Sequence, residues 1–158
     1  MQKITPFLWF DDNAEEAVDF YTSTFANSKK LGVSRYGEGG RGVAGKVMTV
    51  TFSLDGQELI ALNGGPYFKF TPAISLFVAC ETQDEIDRLW DKLLEGGGAP
   101  SQCGWLTDRY GLSWQIVPRI LNDLIQDADA AKARRTTQAM LKMIKLDIAA
   151  LVKAHAGS

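Results

Sequence analysis

Apolar positions along the chain switch between a period of two and a helical period, block by block. Lys3 to Phe10 is apolar on both faces, as expected of a strand covered by helix on one side and lining a pocket on the other. Asp12 and Asn13 then offer N-caps, with Glu15 and Glu16 placed for the reciprocal contact of a capping box. Ala14, Ala17, Val18, Tyr21 and Phe25 follow at helical spacing and predict one buried stripe. Lys29 to Tyr36 alternates weakly through Leu31 and Val33, and the glycine-rich stretch Gly37 to Gly45 reads as a loop. From Met48 the alternation is strict, with Met48, Val50, Phe52 and Leu54 on one face and Thr49, Thr51 and Ser53 on the other. Asp55-Gly56 suits a type I′ turn, where both positions need positive φ. Gln57 to Leu62 is then the return strand, closed by Asn63-Gly64-Gly65-Pro66. The unit reads βαβββ.

The same order begins again about 70 residues later, the mark of an internal duplication. Ile74 to Cys80 predicts a strand, Thr82 and Glu85 form a T-x-x-E capping box, and Ile86, Leu89, Trp90 and Leu93 make the buried helical stripe. Gly96-Gly97-Gly98 ends that helix, because glycine takes the left-handed conformation a helix terminus calls for. Short strands around Gln102 to Thr107, the turn Asp108 to Gly111 and the alternating strand Leu112 to Val117 complete the copy. Beyond Pro118 the spacing is helical. Leu121, Leu124 and Ile125 form a short face, Ala133, Met140, Met143 and Ile144 a longer stripe, and Asp147 a new N-cap with Leu146 and Leu151 as its hydrophobic staple. The expected organisation is paired modules over 1–118, dividing near 66/67, and a helical extension over 119–158 that packs on the sheet's helices or on a second subunit.

Composition narrows the functional classes. With 46% hydrophobic and 23% charged residues in 158, the chain builds a core without disulfides or structural metal. A net charge of −2 offers no positive field for nucleic acid or anionic lipid, so neither nucleic acid nor membrane is an expected partner. Two cysteines are too few for a disulfide framework, and the apolar run before Asp11-Asp12 is too short for a secretion signal. The expectation is a cytoplasmic protein.

Several stretches carry a family resemblance: Ile4 to Phe10, Asn13 to Ala17 with Phe20-Tyr21, Leu62 to Pro66, Gln102 to Trp105, Asp108 to Gln115, and Ala139 to Met143 in the tail. They are similar to the PhnB-like, demethylubiquinone methyltransferase-like subgroup of the vicinal oxygen chelate superfamily, which includes glyoxalase I and bleomycin-resistance proteins. The resemblance implies an α+β fold of two tandem βαβββ modules forming a cup-shaped mixed sheet, with C-terminal helices, and homodimers. Metal-dependent members of the superfamily carry ligands on the first and last strand of each module. Those places match Pro6, Ala61 or Asn63, Ser75 and Gln115, none of which supplies imidazole or carboxylate. No metal and no cofactor are therefore expected.

The remaining candidates are judged on chemistry. Methyl transfer from S-adenosylmethionine calls for a glycine-rich turn after a first strand, whereas the turn here is Asp11-Asp12-Asn13 and Gly96 to Gly98 follows a helix. Cys103 has no histidine to activate it, since His155 is the only one. Asp108 and Tyr110 sit in a tight turn and, with Cys103, are the weak catalytic candidates. Extending the implied ligand positions along each strand gives a pocket of Pro6, Leu8, Phe10, Ala61, Asn63, Ser75, Phe77, Trp105, Ser113 and Gln115. Such a lining suits a small apolar or aromatic molecule. The leading expectation is a metal-independent small-molecule-binding protein. The rivals are an enzyme with a non-metal mechanism and a dimeric interaction module with a vestigial pocket.

Overall fold

The computed structural model describes residues 2–158. They form two compact units, 2–70 and 71–158. The first contains β1 (Phe7–Phe10), α1 (Ala14–Thr24), β2 (Lys29–Arg35), β3 (Val47–Leu54) and β4 (Gln57–Asn63). Its four-stranded sheet runs β1-β4-β3-β2, with β1 parallel to β4 and the other pairs antiparallel. The strand expected from Lys3 starts only at Phe7. Pro6 has no N–H to give a ladder, and its carbonyl accepts the Ile60 N–H at 3.0 Å as the last contact before pairing begins. At the other hairpin Asp55 (φ 46°) and Gly56 (φ 86°) both take positive φ, which locks Leu54 opposite Gln57.

The cap of α1 differs from the expectation. Asn13 occupies the N-cap position, yet its side chain makes no capping bond. The acceptor comes instead from the end of β4, where Asn63 Oδ1 takes the Ala14 N–H at 2.8 Å and Asn63 Nδ2 donates to the Val47 carbonyl at 3.1 Å. One amide thus closes the helix start and fastens it to two strands. Asn63→Ala is expected to destabilise the first unit by about 1–2 kcal/mol, read as a lower urea midpoint. A midpoint unchanged from that of the parent would mean that the helix start caps itself.

The second unit repeats the plan with β5 (Ser75–Cys80), α2 (Gln83–Leu94), β6 (Ala99–Pro100), β7 (Trp105–Thr107) and β8 (Ser113–Pro118). Its sheet runs β5-β8-β7-β6, again with one parallel pair, β5 with β8. The capping box forms: Thr82 Oγ1 accepts the Glu85 N–H at 3.2 Å, and Glu85 Oε2 reaches back to the Glu81 N–H at 3.0 Å. Ile86, Leu89, Trp90 and Leu93 are the buried stripe of α2.

The C-terminal residues belong to this second unit as α3 (Leu121–Ile125), α4 (Ala130–Leu141) and α5 (Ile148–Ala156). Asp147 caps α5 through the Ala150 N–H at 2.8 Å, and the staple residues Leu146 and Leu151 are fully buried in one cluster with Val117 and Leu121. The helical stripe stops earlier than its spacing implies. After Leu141 the chain leaves the helix, and the Met143 and Ile144 carbonyls accept the Cys103 and Gly104 N–H groups, each at 2.8 Å. Gln83 adds a side-chain bridge, donating to the Leu146 carbonyl at 3.0 Å and accepting the Ile148 N–H at 2.8 Å. Among the described residues no helix is long and apolar enough to cross a membrane.

Candidate functional site

Each sheet has a helix-covered face and an open one, and pairing decides which residues lie on which. In the first unit Leu8, Ala61 and Val50 stand in one cross-strand row, and Leu59 stands opposite Phe52 in the next. The Phe52 ring stacks on Tyr21 of α1 with centroids 6.4 Å apart, so this is the helix-covered face. Leu8, Phe10 and Ala61 lie on it, at 4%, 3% and 0% exposure. They are core, which corrects their expected place in a pocket. Asn63 also faces α1, with both amide groups engaged in the helix cap. Pro6 precedes the strand, half-buried, and offers only its bonded carbonyl.

The open face of the first unit carries Phe7 opposite Ile60 and Trp9 opposite Leu62, with Thr51 and Thr49 beyond them. Part of this face is covered by its own chain. Trp9 Nε1 donates to the Gly65 carbonyl at 2.9 Å, and the Phe68 ring meets the Trp9 ring edge-on at 4.9 Å.

In the second unit the expected side holds. Leu76, Val78, Cys80, Leu106, Trp114 and Ile116 share the face under α2, while Ser75, Phe77, Ala79, Trp105, Ser113 and Gln115 share the open one. Gln115 lies between Phe77 and Trp105 in one row and donates from Nε2 to Ser75 Oγ at 3.0 Å. Phe77 is 60% exposed, Gln115 and Trp105 are half-buried, and Ser113 is 1% exposed. Ser113 Oγ is buried without a hydrogen-bond partner. No ionisable side chain stands among these positions.

The catalytic candidates are not gathered on that face. Asp108 is 3% exposed, and its carboxylate accepts the Tyr110 and Leu112 N–H groups at 2.8 and 3.1 Å and Trp114 Nε1 at 2.9 Å. It organises the turn before β8 from the helix side. Tyr110 is half-buried in that turn, with the Arg109 guanidinium 5.7 Å from its ring centroid. Cys103 is a half-buried turn residue with φ 58°, tied by its N–H to Met143. Cys80 is fully buried, and burial, reinforced by the Glu85 charge, pushes its thiol up to about 11. In native protein at pH 8, iodoacetamide is expected to label Cys103 and spare Cys80, with both labelled after denaturation. Peptide mass spectrometry reads the pattern, and early Cys80 labelling would contradict its burial.

A cleft of about 500 Å³ in the first unit escaped sequence reading. Asp11, Asp12 and Glu15 line it with Tyr36, Lys46 and Asn63, at the meeting of the α1 start and the glycine-rich loop. Tyr36 closes its floor by donating its hydroxyl to the Asn63 carbonyl at 2.5 Å. The acidic residues read as helix-cap charges, and no local spacing signals that the distant loop encloses them.

A metal of the superfamily type does not fit these side chains. The second unit's open face presents aromatic, aliphatic, hydroxyl and amide groups, and among the described residues no group of three His, Cys, Asp or Glu side chains is placed to hold a metal ion. The one histidine, His155, pairs with Asp127 at 2.8 Å.

Comparison with known proteins gives these features a lineage. No curated protein sequence matches the chain. Among solved structures, the PhnB protein from Bacillus cereus is 45% identical, with a TM-score of 0.67 over 74% of this chain and 99% of that one. Protein PA1353 from Pseudomonas aeruginosa is 22% identical, with a TM-score of 0.59 over 72% and 95% of the two chains. A glyoxalase/bleomycin resistance protein/dioxygenase domain from Frankia also matches, at 16% identity and a TM-score of 0.45 over 72% and 94%. The profile described as 3-demethylubiquinone-9 3-methyltransferase matches residues 2–117, so the tail segment Ala139 to Met143 lies outside it. With that profile spanning well over half of the chain and the PhnB protein from Bacillus cereus 45% identical over 74% of it, the chain belongs to the PhnB-like, 3-demethylubiquinone-9 3-methyltransferase-like family.

Proposed function

We propose that this protein is a metal-independent small-molecule-binding protein, working as a homodimer, whose second-unit open face takes an uncharged apolar or aromatic guest. The observation that carries the reading is the orphan hydroxyl of Ser113, buried and opposite Ser75 in the β5–β8 pairing. An unmet buried hydroxyl costs about 1–3 kcal/mol, a penalty that a bound polar group removes. Phe77 and Trp105 supply flat apolar surface on either side of Gln115, and the Gln115–Ser75 pair supplies orientation. The absence of charge among these residues favours a neutral guest, since a buried charge without a partner is strongly unfavourable. Methyl transfer forms no part of the reading: the β1–α1 turn has no glycine-rich cradle for a cofactor.

Ser113→Ala separates this reading from an inert face. Removing the orphan group is expected to leave the free protein equally stable or more so, while binding of 2-naphthol, followed by calorimetry, weakens by about fivefold or more. A stability loss above about 1 kcal/mol would mean that the hydroxyl is already satisfied. Elemental analysis showing one equivalent of divalent metal retained by chelator-free protein would overturn metal independence, and a monomer in sedimentation would overturn the dimer.

A further inference from the structure

We infer that Asn63-Gly64 is a conformation-gated deamidation site, shielded while the α1 start is docked on the end of β4 and converted to an acid when that junction opens. Asparagine before glycine is a chemically labile pair, because glycine has no Cβ to keep its backbone nitrogen away from the asparagine amide. The fold dictates both residues. Position 63 has to accept from the Ala14 N–H at 2.8 Å and donate to the Val47 carbonyl at 3.1 Å, and a neutral amide does both. Position 64 has to be glycine, since a Cβ there would run into the Trp9 indole. A helix cap and a ring lying on the backbone thus fall on adjacent residues, and together they create the labile pair.

In the reaction the Gly64 nitrogen attacks Asn63 Cγ, ammonia departs carrying the proton of that nitrogen, and a succinimide ring closes. Water then opens the ring at either carbonyl and leaves aspartate or isoaspartate. The balance is amide plus water to acid plus ammonia, with no oxidant or reductant. The folded unit blocks the first step from both ends. The Phe10 carbonyl holds the Gly64 N–H at 2.9 Å, and the Asn63 amide is fixed between α1 and β3. The Tyr36 hydroxyl pins the peptide group that joins the pair, donating to the Asn63 carbonyl at 2.5 Å. Opening the junction releases these bonds together, so the conversion rate follows the open population. The product cannot close as before. Either acid lacks the donor for Val47, and isoaspartate lengthens the backbone where β4 ends. The new carboxylate also joins Asp11, Asp12 and Glu15 around one cleft. Each opening therefore risks marking the chain, and a marked chain opens more readily.

Peptide mapping by mass spectrometry, with protein aged at mildly alkaline pH, reads the conversion. Asn63 is expected to convert about a hundredfold more slowly in the native protein than in the urea-unfolded chain at the same pH. Tyr36→Phe removes one of the bonds that close the junction, and should speed the native conversion by about threefold to tenfold while leaving the rate in urea unchanged. Converted chains, separated by ion exchange on their added negative charge, should unfold at a lower urea concentration than unconverted ones. Equal rates in native protein and in urea overturn the gate, and so does a native rate that Tyr36→Phe leaves unchanged. No conversion in urea overturns the lability of the pair. Converted chains as stable as the parent overturn the self-reinforcing loss.

Discussion

Leu146→Ala is expected to destabilise the second unit by about 3–5 kcal/mol, the upper part of the range for deleting a buried leucine. The size follows from where Leu146 sits. It is 0% exposed, lies one residue before the Asp147 cap of α5, and shares a cluster with Val117 of β8, Leu121 of α3 and Leu151 of α5. Its side chain also fills the space beside Gly104, and its carbonyl holds Gln83 of α2 at 3.0 Å. Few of these neighbours can move in to fill the cavity, because each is pinned by its own strand or helix. Ile144→Ala, two residues earlier and 56% exposed, should change stability by less than about 0.5 kcal/mol. Urea unfolding of the two variants gives the contrast directly. If they matched, the tail would be an appendage and not part of the second unit's core.

Asp108→Ala should cost about as much, some 3–5 kcal/mol, by a different mechanism. Three donors converge on this carboxylate, and two of them, the Leu112 N–H and Trp114 Nε1, belong to residues 1% and 2% exposed. Alanine removes their acceptor where water has no easy entry. Asp108→Asn keeps an oxygen for the Tyr110 and Leu112 N–H groups but turns an NH2 toward the indole, so its loss should be smaller, about 1–3 kcal/mol. Urea unfolding midpoints of the two variants read the difference. A catalytic role for Asp108 predicts the reverse pattern, with little loss of stability, and small effects from both substitutions would reopen that role.

Most of the local architecture was legible because its signals lie within a turn or two of chain. The Thr82–Glu85 box, the Asp55-Gly56 hairpin and the Asp147 cap with its Leu146–Leu151 staple all join near neighbours, so spacing and residue type suffice. The side of the sheet that each strand residue takes was legible only in the second unit. Ser75, Phe77 and Gln115 lie on the open face as expected, but the first unit's assignment is inverted, with Leu8 and Phe10 under α1. Phe7-Leu8-Trp9-Phe10 is apolar at every position, so alternation carries no information about which side the helix covers. The duplication did hold that information. An offset of about 70 residues sets Phe7 against Phe77 and Leu8 against Val78, and the structure leaves both phenylalanines exposed, at 55% and 60%.

Residue order alone thus specified two βαβββ repeats, the caps of α2 and α5 and the Asp55-Gly56 turn, since each depends on contacts between close neighbours. Three-dimensional packing decided the rest. Asn63 caps a helix that starts 49 residues earlier, Met143 and Ile144 take up the N–H groups of Cys103 and Gly104, and Asp108 is drawn under Trp114. These contacts join segments whose proximity arises only once a helix has chosen a face of its sheet. That choice is made by the whole apolar surface at once and leaves no trace in the spacing of any single strand.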